Sequence, residues 1–155
     1  MSTKAQVISS DFMLASVIFI LIVSIIYLYW NNLSHKINEE RRITGMIDAA
    51  FLASNSLLSD GMPEYWNETN VVDIGLQNDH RINSTKLQMI DMMGYDKVKE
   101  MLGLNYYEFY FRIYDKSNQT IYDFGRLSDS FEIVKVKRYS IMDGNIVYID
   151  FMVWS

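Results

Sequence analysis

The sequence has no cysteine, one proline, seven glycines and two histidines among 155 residues. Without cysteine the chain forms no disulfide bond, no zinc–thiolate site and no thiol nucleophile. The scarcity of proline and glycine excludes a low-complexity or disordered chain. His35 and His80 leave little for metal binding or general-base catalysis, and the HExxH, GxSxG and Gly-rich phosphate-loop motifs are absent. We therefore expect no catalytic residues, no metal site, no cofactor and no enzymatic activity.

Basic residues are also fewer than acidic residues. The chain carries 14 Lys and Arg residues against 19 Asp and Glu residues, which gives a net charge of −5. Proteins that bind the backbone of a nucleic acid present a broad basic surface. We therefore expect no nucleic-acid partner.

Hydrophobic residues, in contrast, make up 50% of the chain, and one long run of them carries no charge. The run covers the 19 residues of Phe12–Trp30, FMLASVIFILIVSIIYLYW. As an α-helix it would be about 28 Å long, close to the hydrocarbon thickness of a bilayer. Aromatic residues at its end favour the headgroup region. The run predicts a transmembrane helix over 12–30. A buried core helix is the alternative, which is disfavoured because a small domain has too little surface to cover a helix that is apolar all round.

The orientation of this helix is predicted from the residues on either side of it. Lys4 precedes the run and three basic residues follow it closely, so the positive-inside rule alone weakly favours a cytoplasmic C-terminal part. Four Asn-x-Ser/Thr sequons favour the opposite orientation, because all of them follow the run and such sequons mark the surfaces of secreted domains. The candidate N-glycosylation acceptors are Asn32, Asn67, Asn83 and Asn118. We expect a single-pass membrane protein with an extracytoplasmic C-terminal domain.

Beyond the run, hydrophobic residues recur at helical spacing until turn residues appear. They predict that one long helix covers 12–60, that its second half packs an apolar stripe on a globular domain, and that Asp60-Gly61-Met62-Pro63 ends it. The stripe consists of Ile43, Met46, Ile47, Ala50, Phe51, Leu57 and Leu58. The chain therefore divides into a short N-terminal segment over 1–11, the helix over 12–60 and a head domain over 61–155.

The head domain is predicted to combine helices with a sheet. Residues 85–102 indicate two helical pieces separated near Gly94, and an alternation of period two follows. The predicted strands are Asn105–Asp115, Ile121–Phe124, Glu132–Met142 and Ile146–Trp154. Lys135 and Lys137 give the third of these the character of a protected edge strand. We expect an α+β fold in which the long helix covers a C-terminal antiparallel sheet of about four strands.

An N-terminal helix that is half in the membrane and half packed on an antiparallel sheet is the type IV pilin architecture, and the sequence resembles archaeal type IV pilin-like proteins. The run Lys4-Ala5-Gln6-Val7-Ile8-Ser9-Ser10-Asp11-Phe12 looks like a class III signal peptide, with a short basic leader before the apolar helix. Four further stretches are similar to the body of such proteins: Asp60-Gly61-Met62-Pro63-Glu64-Tyr65-Trp66, Ile74-Gly75-Leu76, Tyr95-Asp96-Lys97-Val98-Lys99-Glu100-Met101-Leu102-Gly103-Leu104 and Tyr107-Glu108-Phe109-Tyr110. The stretches are spread over most of the chain, from residue 4 to residue 110.

The resemblance implies that a prepilin peptidase cuts the chain in the region of Ala5, Gln6 and Val7. The family pattern places an acidic residue four positions after the Gln, whereas Asp11 lies five positions after Gln6. The cut is therefore expected at Ala5/Gln6 or Gln6/Val7, and an uncut membrane protein is the alternative. The resemblance also implies that Asp11 pairs with the N-terminal amine of a neighbouring subunit. Capping of the helix N-terminus by Asp11 is the simpler reading.

Two functions follow from these expectations. The first is a structural subunit, a pilin or minor pilin, of an archaeal type IV pilus-like surface filament. Its partners would be other pilin subunits bound through the N-terminal helix, the prepilin peptidase, the pilus assembly platform and the lipid bilayer. The second is a binding or sensing module that a single helix holds in the membrane and that never polymerises. A membrane-tethered enzyme is disfavoured because the sequence lacks a catalytic constellation.

Overall fold

A computed structural model describes the backbone of residues 3–155 and the side chains of residues 10–155. Helix α1 covers Thr3–Leu57 in one piece, and no proline interrupts it. The chain forms two compact units, Met1–Ile43 and Thr44–Ser155. The boundary between them falls inside α1, because the last turns of the helix belong to the core of the second unit.

The part of α1 that lies in the second unit buries a narrow stripe of small and apolar side chains. Met46, Ala50, Ala53 and Leu57 are almost completely buried, at the 4–3–4 spacing of one helix face. The predicted stripe was too wide. Ile47 and Phe51 are 38% and 47% exposed, because each lies about 100° around the helix from its buried neighbour.

Six strands form one sheet in the described residues. They are β1 (Gln77–Asn78), β2 (Arg81–Ile82), β3 (Glu108–Tyr114), β4 (Thr120–Gly125), β5 (Val134–Met142) and β6 (Asn145–Trp154). The order is β1-β2-β5-β6-β3-β4, and every neighbouring pair is antiparallel except β2 and β5. The α+β class and the four longer strands are as predicted. Beyond these four, a short hairpin of β1 and β2 adds two strands of two residues each and one parallel pairing, with β5.

Strand β5 has one largely open side. Its antiparallel pairing with β6 runs along its whole length. On the other side β2 pairs with it only through Arg81 and Ile141. The stretch from Val134 to Ser140 is therefore an edge, which agrees with the lysines that predicted one.

The two faces of the sheet differ in character. Phe109 and Phe111 of β3 and Phe151 of β6 are fully buried on the face that α1 covers, with ring centroids 5.8–6.3 Å apart between the strands. Helices α2 (Ser84–Met93) and α3 (Tyr95–Met101) complete this core, and the chain breaks between them at Gly94 with φ +76°, as predicted. The opposite face, called the outer face below, carries tyrosines and charged residues.

Candidate functional site

The apolar run of α1 is the first candidate functional surface. None of the most apolar window of this helix is buried inside the chain, and its length and composition suffice to cross a bilayer. Within the apolar run, Ser16 and Ser24 are the serines, and each donates a hydrogen bond to the backbone carbonyl four residues earlier, at 2.8 Å and 2.7 Å. The helix is thus a candidate membrane span that brings no unsatisfied hydroxyl into an apolar solvent.

Asp11 lies just before this run on an exposed position of α1. Because α1 begins at Thr3, Asp11 lies in the third turn and does not cap the first turn of the helix. No hydrogen bond or ion pair joins its carboxylate to another residue of 10–155. The side chains of Ala5, Gln6 and Val7, where cleavage was predicted, lie outside the described residues.

Two of the four predicted glycosylation sites lie in exposed turns. The side-chain oxygen of Asn67 accepts hydrogen bonds from the backbone nitrogen of Thr69 at 2.9 Å and from the Thr69 hydroxyl at 2.6 Å. Asn118 sits in the turn between β3 and β4 with φ +64°, a conformation that Asn tolerates better than most residues. Both side chains are exposed, so both remain candidate acceptors.

The asparagines of the other two sequons make hydrogen bonds that belong to helices. Asn32 lies inside α1, where its amide nitrogen donates to the carbonyl of Leu28 at 3.0 Å. Asn83 is the N-cap of α2, and its side-chain oxygen accepts from the backbone nitrogen of Thr85 at 2.8 Å. These hydrogen bonds explain both asparagines as parts of helices.

The outer face of the sheet contains a buried carboxylate that the sequence analysis did not single out. Asp150 in β6 is only 1% exposed. It pairs with Lys135 at 2.6 Å and Arg112 at 3.4 Å, and it accepts a hydrogen bond from the Tyr114 hydroxyl at 3.2 Å. Lys137 lies 4.0 Å from its second oxygen. One carboxylate thus joins β3, β5 and β6, and three cations surround it.

The cations hold Asp150 in its charged form. Burial raises the pKa of its carboxyl, but the hydrogen bond from Lys135 and the charges of Lys135 and Lys137 outweigh burial, and the pKa lies below its ordinary value. A carboxylate whose pKa is lower in the folded than in the unfolded state stabilises the fold above the unfolded pKa. That stability is lost as the pH falls through the folded pKa.

We therefore expect Asp150→Asn to destabilise the chain by about 1–3 kcal/mol at neutral pH, less than for a fully buried pair because the cations are partly exposed. The measurement is urea denaturation of the full chain in detergent micelles between about pH 7 and pH 3. The difference from wild type should shrink as the pH falls below about 4, where the unfolded carboxyl binds its proton. A difference that stays constant down to pH 3 would contradict this.

Tyrosines extend the outer face next to Asp150. The ring of Tyr148 stacks on Tyr114 at 5.5 Å and meets Tyr139 edge-on at 5.4 Å. The guanidinium of Arg112 lies 4.6 Å from the centre of the Tyr114 ring. These contacts cross β5, β6 and β3, so the tyrosines stabilise the pairing of the strands.

One cavity lies at the end of the sheet where two turns meet. It has a volume of about 620 Å³ and lies between the β3–β4 turn and the β5–β6 turn. Its polar side chains include Asp115, Lys116, Asp143 and Asn145, and it is lined by no histidine or serine. No group of three His, Asp or Glu side chains within residues 10–155 is arranged to hold a metal ion.

Comparison with known proteins adds no relative. No protein-family model matches the chain, and neither the curated proteins nor the solved structures include a match. The interpretation of its function therefore depends on the residues themselves.

Proposed function

We propose that this protein is a structural subunit, a pilin or minor pilin, of an archaeal type IV pilus-like surface filament. The observation that carries the proposal is the exposed apolar run of α1 in a chain whose remainder has a well-formed core of its own. An apolar surface of this length needs a partner, either lipid or other helices of the same kind. The likeness of residues 4–12 to a class III signal peptide supports the second of these.

The same surface serves in two environments. In the bilayer it holds the subunit with its C-terminal domain outside the cytoplasm. In the filament it packs against the corresponding helices of other subunits. Both surroundings are dry, so one composition suits both. The chain would meet a prepilin peptidase and the assembly platform on the way from the first environment to the second.

Asp11 gives the assembled helices a defined stagger. A carboxylate buried in an apolar bundle costs several kcal/mol unless it is paired. Cleavage after Ala5 or Gln6 would create an amine about 6–8 Å from Asp11 along the helix axis. A neighbouring helix displaced by about that distance brings its amine level with Asp11.

The proposal is tested by the N-terminus of the native protein. Mass spectrometry should show that the chain begins at Gln6 or Val7. An intact chain, or one that has lost Met1 alone, would contradict processing by a prepilin peptidase. It would favour the alternative of a single-pass binding or sensing module. The exposed side chains of Tyr139, Ile141 and Ile146 on the outer face are the observation that favours this alternative.

A further inference from the structure

One stretch of the second unit carries acidic residues and no basic ones. Residues 60–79 contain five carboxylates and neither lysine nor arginine. All five side chains are exposed: Asp60, Glu64, Glu68, Asp73 and Asp79. We refer to residues 60–79 as the acidic segment.

The acidic segment is a fixed surface. Its Trp66 and Ile74 are buried in the core, and the indole nitrogen of Trp66 donates to the carbonyl of Gly75 at 2.9 Å. Backbone hydrogen bonds of 2.8–3.1 Å join Met62 to residues 72 and 73. Between the carboxylates, Met62, Tyr65 and Val72 expose apolar side chains. The segment therefore presents negative charge and apolar area together in one conformation.

Basic residues are concentrated on the open side of β5. Lys135, Lys137 and Arg138 fall within four consecutive residues, and Tyr139 beside them is exposed. The lysine side chains are 43% and 52% exposed, and Asp150 is the carboxylate that faces them. Arg138 donates to the amide oxygen of Asn55 at 3.0 Å and pairs with no carboxylate among residues 10–155. We refer to Lys135–Tyr139 as the basic edge.

The two surfaces adjoin at one end of the acidic segment, where the Gln77 amide donates to the Ser140 hydroxyl of β5 at 2.9 Å, and diverge at its middle. The carbonyl of Glu68 accepts a hydrogen bond from Lys97 of α3 at 2.8 Å. In the same helix Tyr95 packs against Phe109 of β3 and Phe124 of β4, at 5.0 Å and 6.3 Å. Strand β5 lies beyond β6, on the other side of β3. No ion pair joins the acidic segment to the basic edge in the described part of the chain.

From this distribution of charge we propose that the basic edge of one copy binds the acidic segment of a second copy. Pairing of two β5 edges would bring like charges together, whereas edge and segment have opposite charge and expose apolar side chains on both sides. Each copy offers one surface of each kind, so a head-to-tail contact can extend from copy to copy. This inference rests on the proposed filament and names the contact between its head domains.

The test uses the full chain in detergent micelles and measures self-association by sedimentation velocity. One variant, Glu64→Lys with Glu68→Lys, reverses the charge of two residues in the acidic segment. A second, Lys137→Glu with Arg138→Glu, reverses the charge of two residues in the basic edge. We expect each to weaken self-association at least about tenfold. An equimolar mixture of the two should restore it, because each reversed surface then faces a complementary one. The wild-type association should weaken between about 50 mM and 500 mM salt.

The matched control is Glu100→Lys with Asp129→Lys, which changes net charge equally at exposed positions outside the segment. It should associate like wild type. The segment variant leaves the partners of Asp150 untouched, so a folding defect in the edge variant does not obscure the result. Wild-type association in the segment variant would overturn the proposal. So would a mixture that fails to associate when circular dichroism shows that both variants are folded.

The contact and the filament role fail in different ways. If the variants associate as expected but cells neither cleave the chain nor assemble it into filaments, the filament role is rejected and the contact is retained. Filaments whose yield is the same in wild type and both reversed variants would reject the contact and keep the filament role.

Discussion

Replacing Asp11 with alanine is expected to abolish filament formation and to leave the chain folded and inserted in the membrane. In the proposed filament the Asp11 carboxylate neutralises the N-terminal amine of a neighbour inside an apolar bundle. Without it the amine is buried unpaired, at a cost of about 3 kcal/mol or more for each subunit. That cost lowers the equilibrium constant of each addition more than about a hundredfold. The measurement is a count of surface filaments by electron microscopy.

Asp48→Ala is the matched control for this prediction. Asp48 is an exposed aspartate of the same helix, and it lies in the part of α1 that belongs to the second unit. Its loss should leave the filament count unchanged. Membrane fractionation of both variants shows whether the chain is inserted. A normal number of filaments from the Asp11 variant would refute the pairing role.

Trp66→Ala is expected to cost about 3–5 kcal/mol of unfolding free energy. The indole is 1% exposed, and Gly61 packs so closely on its ring that a Cβ there would lie only 2.7 Å away, so the substitution opens a cavity in a tightly packed region. The substitution also leaves the buried carbonyl of Gly75 without its donor. This is a large share of the total stability of a small unit. Urea denaturation in micelles should show a lower midpoint with an unchanged slope.

Tyr65→Ala provides the comparison within the acidic segment. The neighbouring aromatic ring is exposed, so its removal should change stability by less than about 0.5 kcal/mol. Equal losses for the two variants would mean that Trp66 does not anchor the segment. A loss confined to Trp66 would mean that the acidic surface depends on a single buried ring.

Elements with a local signal could be predicted from the sequence. The β5–β6 hairpin is an example, because Asp143 and Gly144 adopt φ +49° and +79°, as a two-residue turn of this kind requires. The break at Gly94 is another, since a positive φ favours glycine. The alternation of period two also predicted β3 and β6, because successive side chains of a strand point to opposite faces of the sheet.

Elements that depend on distant residues could not be predicted in this way. β1 and β2 contain two residues each, too few for any periodicity, and the parallel pair is defined by one contact to β5. The role of Asp150 depends on Arg112 and Lys135, which lie in other strands. Only an acidic residue in the middle of an apolar strand could have drawn attention to it. Asp11 and the apolar run remain predictions about partners.

The internal hydrogen bonds of Ser16 and Ser24 bear on how such a filament would come apart. Their hydroxyls are satisfied by carbonyls of the same helix, so a subunit changes no side-chain hydrogen bond there when it moves between lipid and bundle. Extraction and return then differ in packing and in the pairing of Asp11, with no contribution from these two hydroxyls. The serines of the helix would therefore leave the exchange of a subunit between membrane and fibre unhindered.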